Sequence, residues 1–458
     1  MKKKQRYDYD LIVIGSGAGG SVAADIVASS GKRVALVEGE TMGGECPNWG
    51  CVPTKALLES AKVFESAKKA ANFGIRTGMP GFNYPSVKAW KDLAVKRTGA
   101  STSAKYYQSR GVGVYHGHAH FISPHEITVN RRHLSAAHFL VATGSHWADV
   151  DVPVSSGVTL LDARSALELN RPPKSLFIIG GGATGVEFAE LFSIFGSNVS
   201  IAENSSRLLA REDQEVSQLV EAVFSKRRGI KVLTKTKVVS IEKDGLASRV
   251  TYLRGGEQHT VRVDAVMVAA GKLPNVDIGL ENAGVQYTAH GIGVNEFLQT
   301  NVPHIYAAGD VTGKYMYTHV GVYESRLSAH NLLHPKQKLA ADYRAVPRVT
   351  FLTPEIASVG MSEEDCLKRD LAIKTAIVPI NVIGRANVSN AQDGFVKVIA
   401  DKKGMLLGAS VVSQHAGEVI HELTLAIHQR MTAQQVASSM HAYPTWSEAV
   451  RVACEKLG

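Results

Sequence analysis

Two cysteines separated by four residues, Cys46 and Cys51, have the clearest capacity for chemistry in the sequence. A close pair of this kind either binds a metal ion or forms a redox-active disulfide. The usual zinc knuckle has two residues between its cysteines, and no second pair of Cys or His residues lies near in the sequence. The spacing therefore favours a disulfide that accepts and returns electrons over a zinc site.

The segment after Cys51 predicts how one of the two thiols is activated. Pro53 suits an early position in a helix, and residues 54–62 continue as a helical run. Cys51 should then lie near a helix N-terminus, whose partial positive charge stabilises a thiolate. Of the two other cysteines, we expect Cys366 to be structural and Cys454 to be an incidental or auxiliary thiol.

A dinucleotide-binding pattern precedes the cysteines. An apolar run at residues 11–14 leads into a glycine-rich turn and a helical stretch, and a second apolar run ends at Glu38. In such a turn Gly15 permits the tight bend, Gly17 lets the backbone approach a pyrophosphate, and Gly20 permits close helix-to-strand packing. Glu38 can accept hydrogen bonds from a ribose.

The same pattern occurs a second time. Its fingerprint glycines are Gly180, Gly182 and Gly185, and its terminal acid is Glu203. In both units the acid lies 23 residues after the first glycine, and both units close with an apolar strand that stops on a glycine, Gly144 or Gly271. One glycine-rich turn is a weak signal, but repetition of the whole unit predicts two dinucleotide sites.

The segment from Gly43 to Lys55 resembles the redox-active signature of the pyridine nucleotide-disulfide oxidoreductases, the family of glutathione reductase, lipoamide dehydrogenase and mercuric reductase. The segments at 117–119 and 307–310 also match, so the resemblance covers nearly the full length. It implies FAD in the first site and NADH or NADPH in the second. It also implies a homodimer in which the C-terminal domain completes the partner's active site.

The resemblance assigns roles to individual residues. Cys51 is on the flavin side, where its thiolate forms a charge-transfer contact, and Cys46 exchanges with the substrate. Lys55 matches the family lysine near flavin N5, and Glu187 matches its acidic partner. Asp310 is similar to the aspartate that contacts the flavin side of FAD. The other cofactor contacts that we expect are Gly44, Ala119, Thr143, Gly144 and Gly271.

The C-terminal segment departs from the family pattern. In disulfide reductases of this family a histidine precedes a Pro-Thr pair, and a glutamate five residues after it orients it as general acid/base. Aligned in this way, Glu448 is retained but Tyr443 occupies the histidine position. A phenol titrates near about pH 10, which counts against ordinary dithiol–disulfide interchange. His441 is the alternative proton carrier, with a packing role as the competing interpretation.

Tyr443 also introduces a competing function, because mercuric reductases carry a tyrosine at this position. A reductase of metal ions or other electrophiles is therefore the alternative. Those enzymes end in adjacent cysteines, whereas this chain has Cys454 alone. Two further departures are Glu45, in place of a threonine before the first cysteine, and Ala183, where the glutathione-reductase branch often has a tyrosine. We assign no metal site, since the histidines at 415, 421 and 428 fit a packing stripe equally well.

The end of the second fingerprint predicts the coenzyme. Glu203 is placed to accept hydrogen bonds from the adenosine-ribose hydroxyls of NADH and to repel the 2′-phosphate of NADPH. Arg207 follows four residues later and Arg211 after it, so use of NADPH stays open.

Composition limits the classes of function. A chain of 458 residues, 45% apolar and 20% charged, is an ordinary globular protein of two or three domains. No stretch approaches the roughly 18 apolar residues of a membrane span. The net charge of +9 comes from short scattered groups such as 226–228, which favours a solvated basic surface over nucleic-acid binding. Only four cysteines occur, which fits a reducing cytoplasm.

These patterns predict an α/β fold with two Rossmann-like dinucleotide-binding domains and a C-terminal α+β dimerisation domain. The FAD domain is split between 1–148 and 271–343, the NAD domain covers 149–270, and the dimerisation domain covers 344–458. The predicted enzyme passes electrons from nicotinamide through flavin to Cys46 and Cys51, and then to a small-molecule disulfide, metal ion or quinone. A flavin-based redox sensor without turnover is the alternative of another class.

Overall fold

The computed structural model describes residues 6–99 and 103–457, which form two compact units. The first unit comprises the described residues of Met1–Leu57, Ser86–Ala148 and Gly271–Ala341. The second comprises those of Leu58–Pro85, Asp149–Ala270 and Asp342–Gly458.

The strands of the described residues are, in chain order, β1 (Tyr9–Ile14), β2 (Val34–Glu38), β3 (Gly113–His116), β4 (Ala119–Ser123), β5 (Glu126–Val129), β6 (Arg132–Val141), β7 (Ser145–Trp147), β8 (Leu160–Leu161), β9 (Ser175–Ile179), β10 (Asn198–Ala202), β11 (Lys231–Leu233), β12 (Thr236–Asp244), β13 (Ala247–Arg254), β14 (Glu257–Val263), β15 (Ala265–Val268), β16 (Lys272–Pro274), β17 (Tyr287–Thr288), β18 (Gly291–Ile292), β19 (Ile305–Ala307), β20 (Pro347–Thr350), β21 (Glu355–Gly360), β22 (Ile373–Pro379), β23 (Phe395–Asp401) and β24 (Leu406–Ser413).

The α-helices of the same residues are α1 (Ala18–Ser29), α2 (Glu45–Trp49), α3 (Cys51–Lys68), α4 (Tyr84–Gly99), α5 (Ala104–Gln108), α6 (Ala163–Leu167), α7 (Ala183–Ile194), α8 (Gln214–Val223), α9 (Thr318–Leu333), α10 (Glu363–Lys368), α11 (Gly384–Val388), α12 (Ala416–His428), α13 (Ala433–Ala437) and α14 (Glu448–Glu455).

The first unit is built on a parallel sheet of order β3-β2-β1-β6, with β19 pairing with β6 and with β5 and β4 continuing antiparallel from β6. The apolar run of β1 lies inside this sheet. Its side chains alternate between two cores, Ile12 and Ile14 in one and Leu11 and Val13 in the other. Both faces of the strand are therefore buried, as expected for a parallel sheet.

The second unit repeats this arrangement in a parallel sheet of order β11-β10-β9-β15-β8. The central strand β9 pairs with β10 and β15, as β1 pairs with β2 and β6 in the first unit. The predicted internal repeat is thus present strand by strand. The predicted fold class, two dinucleotide-binding folds with a third α+β part, is confirmed.

The α+β part is an antiparallel sheet of order β20-β21-β24-β23-β22, packed with α12 and α14 around one apolar core. Lys397 of β23 has a fully buried ammonium group. Its Nζ lies 3.4 Å from Asp213, 3.0 Å from Glu215 and 2.7 Å from Glu363. Within the second unit, this cluster joins the antiparallel sheet to the beginning of α8.

The basic residues 226–228 do not all lie on the solvated surface that the sequence predicts for them. Arg228 ends a π-helical turn, Phe224–Arg228, and its side chain is only 10% exposed. Its guanidinium donates to both carboxylate oxygens of Glu65, at 2.8 Å for the Nη2 contact, and lies 3.5 Å from Glu190. The solvated interpretation is therefore wrong for Arg228. Within residues 6–99 and 103–457, no helix has the length and apolar character needed to cross a membrane.

Candidate active site

The redox segment folds as two helices that meet at Gly50. Cys46 lies in α2, and Cys51 is the first residue of α3, so the predicted helix N-terminus is confirmed. A Cβ atom at Gly50 would lie 3.2 Å from the Cα of Cys46, so glycine suits this turn. Both cysteines are free thiols, joined to each other by a hydrogen bond.

The environments of the two thiols differ. The hydrogen bond with Cys46 is the largest cause that lowers the pKa of Cys51, which falls to about 6. A hydrogen bond with Thr318 Oγ1, at 3.4 Å, and the cations Lys55 and Lys272 act in the same direction, while burial opposes them. The same hydrogen bond and burial raise the pKa of Cys46. The thiolate is therefore favoured at Cys51 and the proton at Cys46.

The three glycines of the first fingerprint are needed for different steric reasons. A Cβ at Gly15 would lie 2.1 Å from the carbonyl oxygen of Ala142, and one at Gly20 would lie 2.1 Å from the carbonyl oxygen of Gly15. At Gly17 the nearest atom would be Gly44 Cα, at 3.8 Å. The outer glycines are thus required by the protein's own packing. Gly17, which caps α1, leaves room for a ligand to approach the helix N-terminus.

The second fingerprint repeats these relationships. A Cβ at Gly180 would lie 2.3 Å from the carbonyl oxygen of Ala269, and one at Gly185 would lie 1.9 Å from that of Gly180. A Cβ at Gly182, which caps α7, would meet no atom of the described residues within 4 Å. The cradle at each helix N-terminus therefore fits the pyrophosphate of a dinucleotide.

The two terminal acids are held by backbone groups of the same kind. Glu38 accepts hydrogen bonds from the backbone N–H groups of Ser16, at 2.9 Å, and Glu40, at 2.8 Å. Glu203 accepts from those of Gly181, at 2.7 Å, and Ser205, at 2.6 Å. Each carboxylate is thereby fixed at the end of its strand, beside the glycine-rich turn, where a ribose is expected.

Arg207 does not lie free beside Glu203. Its Nη2 donates to the backbone carbonyl of Ala210, at 3.1 Å, and to the Glu364 carboxylate, at 2.9 Å. Hydrogen bonds from Lys368 and then Arg207 lower the pKa of Glu364 to about 2, so this carboxylate stays an anion. The Arg207 side chain, only 25% exposed, is therefore engaged by an ion pair within the second unit.

The other predicted cofactor contacts lie in the first unit. Asp310 accepts a hydrogen bond of 2.6 Å from Ser145, and Thr143 donates one of 2.6 Å to the carbonyl of Asn275. Ala119 begins β4 and is buried. Three predicted contacts are glycines with positive φ, namely Gly44 (68°), Gly144 (73°) and Gly271 (120°).

Lys55 lies one turn after Cys51 in α3, within the first unit. Glu187 lies in α7 of the second unit, where its buried carboxylate accepts a hydrogen bond of 2.9 Å from the backbone N–H of Phe351. The pairing of Glu187 with Lys55 stays a prediction.

The C-terminal candidates separate into different environments. The ring of His441 contacts the Ser439 carbonyl through Nδ1, at 3.0 Å, and the Glu422 carboxylate through Nε2, at 2.7 Å. Because both partners are acceptors, both ring nitrogens must donate when both bonds are made. This favours the packing role for His441. Tyr443 is 75% exposed, and one carboxylate oxygen of Glu448 is buried without a hydrogen-bond partner among the described residues.

The two remaining cysteines are fully buried, and burial raises the pKa of both thiols, to about 12 for Cys454. Among the described residues, no group of three His, Cys, Asp or Glu side chains is arranged to hold a metal ion.

Sequence reasoning missed Lys272 and Thr318, which both act on Cys51. Lys272 is more than 200 residues distant in the chain and Thr318 is separated by 267. The only available signal was the position of Lys272 directly after Gly271, at the end of the second repeat.

Two family models cover most of the chain. Residues 9–325 match the pyridine nucleotide-disulphide oxidoreductase family, and residues 346–454 match the dimerisation domain of the same family.

Similar proteins span almost the whole chain. A dihydrolipoyl dehydrogenase from Chlamydia pneumoniae is 37% identical over 448 residues, which cover 96% of this chain and 95% of the relative. A mercuric reductase from Streptomyces lividans is 36% identical over 456 residues, which cover 98% and 96%. The HOCl-induced flavoprotein disulfide reductase RclA from Escherichia coli has a similar structure, with a TM-score of 0.85, 27% identity, and coverage of 98% and 99%. A Cu(II) complex of RclA matches with the same TM-score and identity, and with coverage of 99% and 100%.

Proposed function

Because the chain belongs to the pyridine nucleotide-disulphide oxidoreductase family, we propose that it passes electrons from NADH through FAD to a disulfide of Cys46 and Cys51, and then to an external acceptor. The chain is an FAD-dependent oxidoreductase that uses NAD(P)H. The roles of individual residues, the choice of coenzyme and the acceptor are our proposal.

The unequal environment of the two cysteines is the observation that carries this proposal. Cys51 begins a helix and has a pKa lowered to about 6, whereas the pKa of Cys46 is raised. After two-electron reduction, such a pair holds a thiolate at Cys51 and a thiol at Cys46. Structural cysteines need no such asymmetry, since buried inert thiols keep a raised pKa, as Cys366 and Cys454 do.

The chain's own residues position the cofactors. Gly17 and the N-terminus of α1 would hold the FAD pyrophosphate, Glu38 the ribose, and Asp310 the flavin side. FAD bound there would supply the two-electron chemistry that links NADH to the disulfide. Lys55 places a positive charge one turn from Cys51, which favours negative charge at this site.

We propose a small electrophilic acceptor. For a disulfide, Cys46 gives up its proton as its sulfur attacks one acceptor sulfur and breaks the acceptor S–S bond, and the departing thiolate takes up that proton. The Cys51 thiolate then attacks the Cys46 sulfur, which closes the Cys46–Cys51 disulfide and releases the second half of the acceptor as a thiolate. A disulfide acceptor requires a proton donor for its leaving thiolate. Glu448, which would orient such a donor, is retained as the first residue of α14. The two candidate donors are poorly suited to the task. His441 makes contacts through both ring nitrogens, and Tyr443 carries a phenol.

A metal ion is the second candidate acceptor, and Tyr443 is the observation that favours it. Soft metal ions bind thiolates directly and need no proton donor for a leaving group. The relatives include a protein named mercuric reductase, and one similar structure is a Cu(II) complex. Both cysteines of the pair offer sulfur ligands for such an ion.

NADH is the proposed coenzyme, because Glu203 is fixed where the adenosine ribose is expected and Arg207 is engaged with Glu364. A 2′-phosphate would meet the Glu203 carboxylate, while the Arg207 guanidinium is held by Glu364. The dimerisation domain supports a homodimer. The proposal that this domain completes the partner's site rests on family resemblance, and the cytoplasmic location remains a prediction.

Anaerobic addition of NADH to the purified protein tests the function. We expect loss of the oxidised flavin absorbance and growth of a long-wavelength band from the Cys51 thiolate. The absorbance should then recover on addition of the acceptor, tried in turn as lipoamide, glutathione disulfide, mercuric ion, cupric ion and a quinone. Flavin that NADH does not reduce would favour the redox-sensor alternative. Recovery with metal ions alone would select the second acceptor class.

A further inference from the structure

An ion pair stands directly beside the redox cysteines. Glu45 precedes Cys46 in α2, and both its carboxylate oxygens accept hydrogen bonds from Lys272 Nζ, with the Oε2 contact at 2.6 Å. The side chains are partly buried, with 23% of Glu45 and 20% of Lys272 exposed. Both residues belong to the first unit.

The position of Lys272 is fixed by a small sheet. Strands β7 and β16 pair antiparallel, with Lys272 opposite Trp147. The ammonium group lies over the Trp147 ring, 4.6 Å from its centroid. A cation in this position has an attractive contact with the ring in addition to its ion pair. The charge is therefore held by three constraints, namely strand pairing, an aromatic ring and a carboxylate.

Lys272 is, with Lys55, one of the two cations whose charges lower the pKa of Cys51. The charge of Lys272 is opposed by the carboxylate of Glu45, one residue from Cys46. Because both partners are partly withdrawn from solvent, their charges are screened less than those of a surface pair. A change in the charge of either partner should therefore shift the pKa of Cys51.

We propose that Glu45 and Lys272 are positioning residues that set the redox balance of the Cys46–Cys51 couple, with Lys272 favouring the dithiol and Glu45 limiting that effect. The inference rests on the proposed function, in which these cysteines form the disulfide.

The charge balance of the reduction gives the direction of each effect. Opening the disulfide breaks the S–S bond and takes up two electrons and one proton, which leaves a thiol at Cys46 and a thiolate at Cys51. The electrons come from NADH through FAD. One negative charge therefore appears at Cys51. A neighbouring cation stabilises the reduced form, and a neighbouring anion stabilises the disulfide.

Four proteins separate charge from shape. The parent pair has no net charge, E45Q removes its negative charge, K272M removes its positive charge, and the double variant again has no net charge. An electrostatic role predicts opposite shifts for the two single variants and near-parent behaviour for the double variant. K272R retains the cation and should resemble the parent.

The readout is the rate at which iodoacetamide alkylates Cys51 in the reduced holoenzyme, followed against pH by mass spectrometry. We expect E45Q to lower the midpoint and K272M to raise it, each by about half to one pH unit, or roughly threefold to tenfold in thiolate ratio. At equilibrium with a dithiothreitol redox buffer, the dithiol fraction should increase in E45Q and decrease in K272M.

The matched control is the more exposed ion pair Asp244–Arg249 in the second unit, in which 29% and 52% of the side chains are exposed. R249M also removes one positive charge and should leave the midpoint unchanged. Shifts of the same sign in E45Q and K272M, a double variant that keeps a single variant's shift, a K272R shift like that of K272M, or an equal shift in R249M would overturn the proposal. Alkylation needs no turnover, so midpoint shifts in a protein that NADH does not reduce would refute the proposed function separately.

Discussion

The carboxylate of Glu203 accepts a hydrogen bond of 2.7 Å from the backbone N–H of Gly181, inside the glycine-rich turn that begins its own dinucleotide unit. Glu38 makes the equivalent contact with Ser16 in the first unit, at 2.9 Å. In both dinucleotide-binding repeats the acid is therefore oriented by the backbone of its own glycine-rich turn. Preorganisation of this kind reduces the ordering cost of binding a ribose.

Coenzyme preference is the first prediction. NADH should exceed NADPH by roughly tenfold to a hundredfold in kcat/KM, because Glu203 accepts from ribose hydroxyls and repels a 2′-phosphate. Glu203→Gln keeps the shape of the side chain but removes its charge. It should therefore reduce the preference for NADH mainly by raising kcat/KM for NADPH. Steady-state kinetics with both coenzymes measure this. A parent enzyme that prefers NADPH would contradict the assignment.

The Arg207–Glu364 ion pair gives the second prediction. Glu364→Gln removes the ion pair with Arg207 and should raise kcat/KM for NADPH by a few-fold. We expect no larger effect, because an ion pair near the surface contributes little to fixing the Arg207 side chain and its hydrogen bond to the Ala210 carbonyl remains. Arg207→Met is the control and should leave NADH kinetics unchanged. If Arg207→Met abolished NADPH use in the parent, Arg207 would already contact the phosphate.

Gly182 and Gly185 form a matched pair for the third prediction, because alanine would fill ligand space at one and protein space at the other. Gly185→Ala should lower the free energy of unfolding by about 1–3 kcal/mol, since its Cβ would lie 1.9 Å from the Gly180 carbonyl oxygen. Gly182→Ala should keep the parent melting temperature but raise the KM for NADH by roughly tenfold. Equal losses of stability in both variants would refute this division.

How far the sequence predicts the site depends on the distance between partners along the chain. The glycine turns, the acids and the helix start at Cys51 are local features, so spacing alone predicts them. The Lys272–Glu45 contact spans 227 residues and the Arg207–Glu364 contact spans 157. No local pattern specifies such pairs, because they depend on how separate strands and helices pack.

The burial of charged residues was unpredictable for the same reason. Lys397 occurs in an apolar strand, and its carboxylate partners come from α8, its N-cap and α10. Arg228 follows two other basic residues, and such a run of charges is typical of a solvated surface. In the structure, however, its guanidinium pairs with Glu65. A buried charge requires partners, and only the folded chain shows where they are.

The fourth prediction concerns pH. Because the pKa of Cys51 is lowered to about 6, its thiolate should persist from neutral pH down to about 6 and decrease tenfold per pH unit below that value. The pKa of Cys46 is raised, so this thiol should stay protonated throughout. Alkylation of each cysteine in the NADH-reduced protein, followed against pH, tests both statements. A Cys51 midpoint near the ordinary thiol value of about 8.5 would contradict them.

The last prediction separates the roles of the two cysteines by substitution. Cys51→Ser should retain FAD but lose the long-wavelength band and turnover with thiol-dependent acceptors, because the hydroxyl forms neither a thiolate nor a disulfide. Cys46→Ser should also lose turnover, yet it leaves Cys51 with Thr318, Lys55 and Lys272, so a thiolate band should be present without reduction by NADH. The hydrogen bond from Cys46 is the largest cause of the lowered pKa, so the serine hydroxyl must take over that donation for the band to reach full strength at neutral pH. Visible spectra and steady-state rates of both variants give the measurement. A band in Cys51→Ser and none in Cys46→Ser would show that the two assignments must be exchanged.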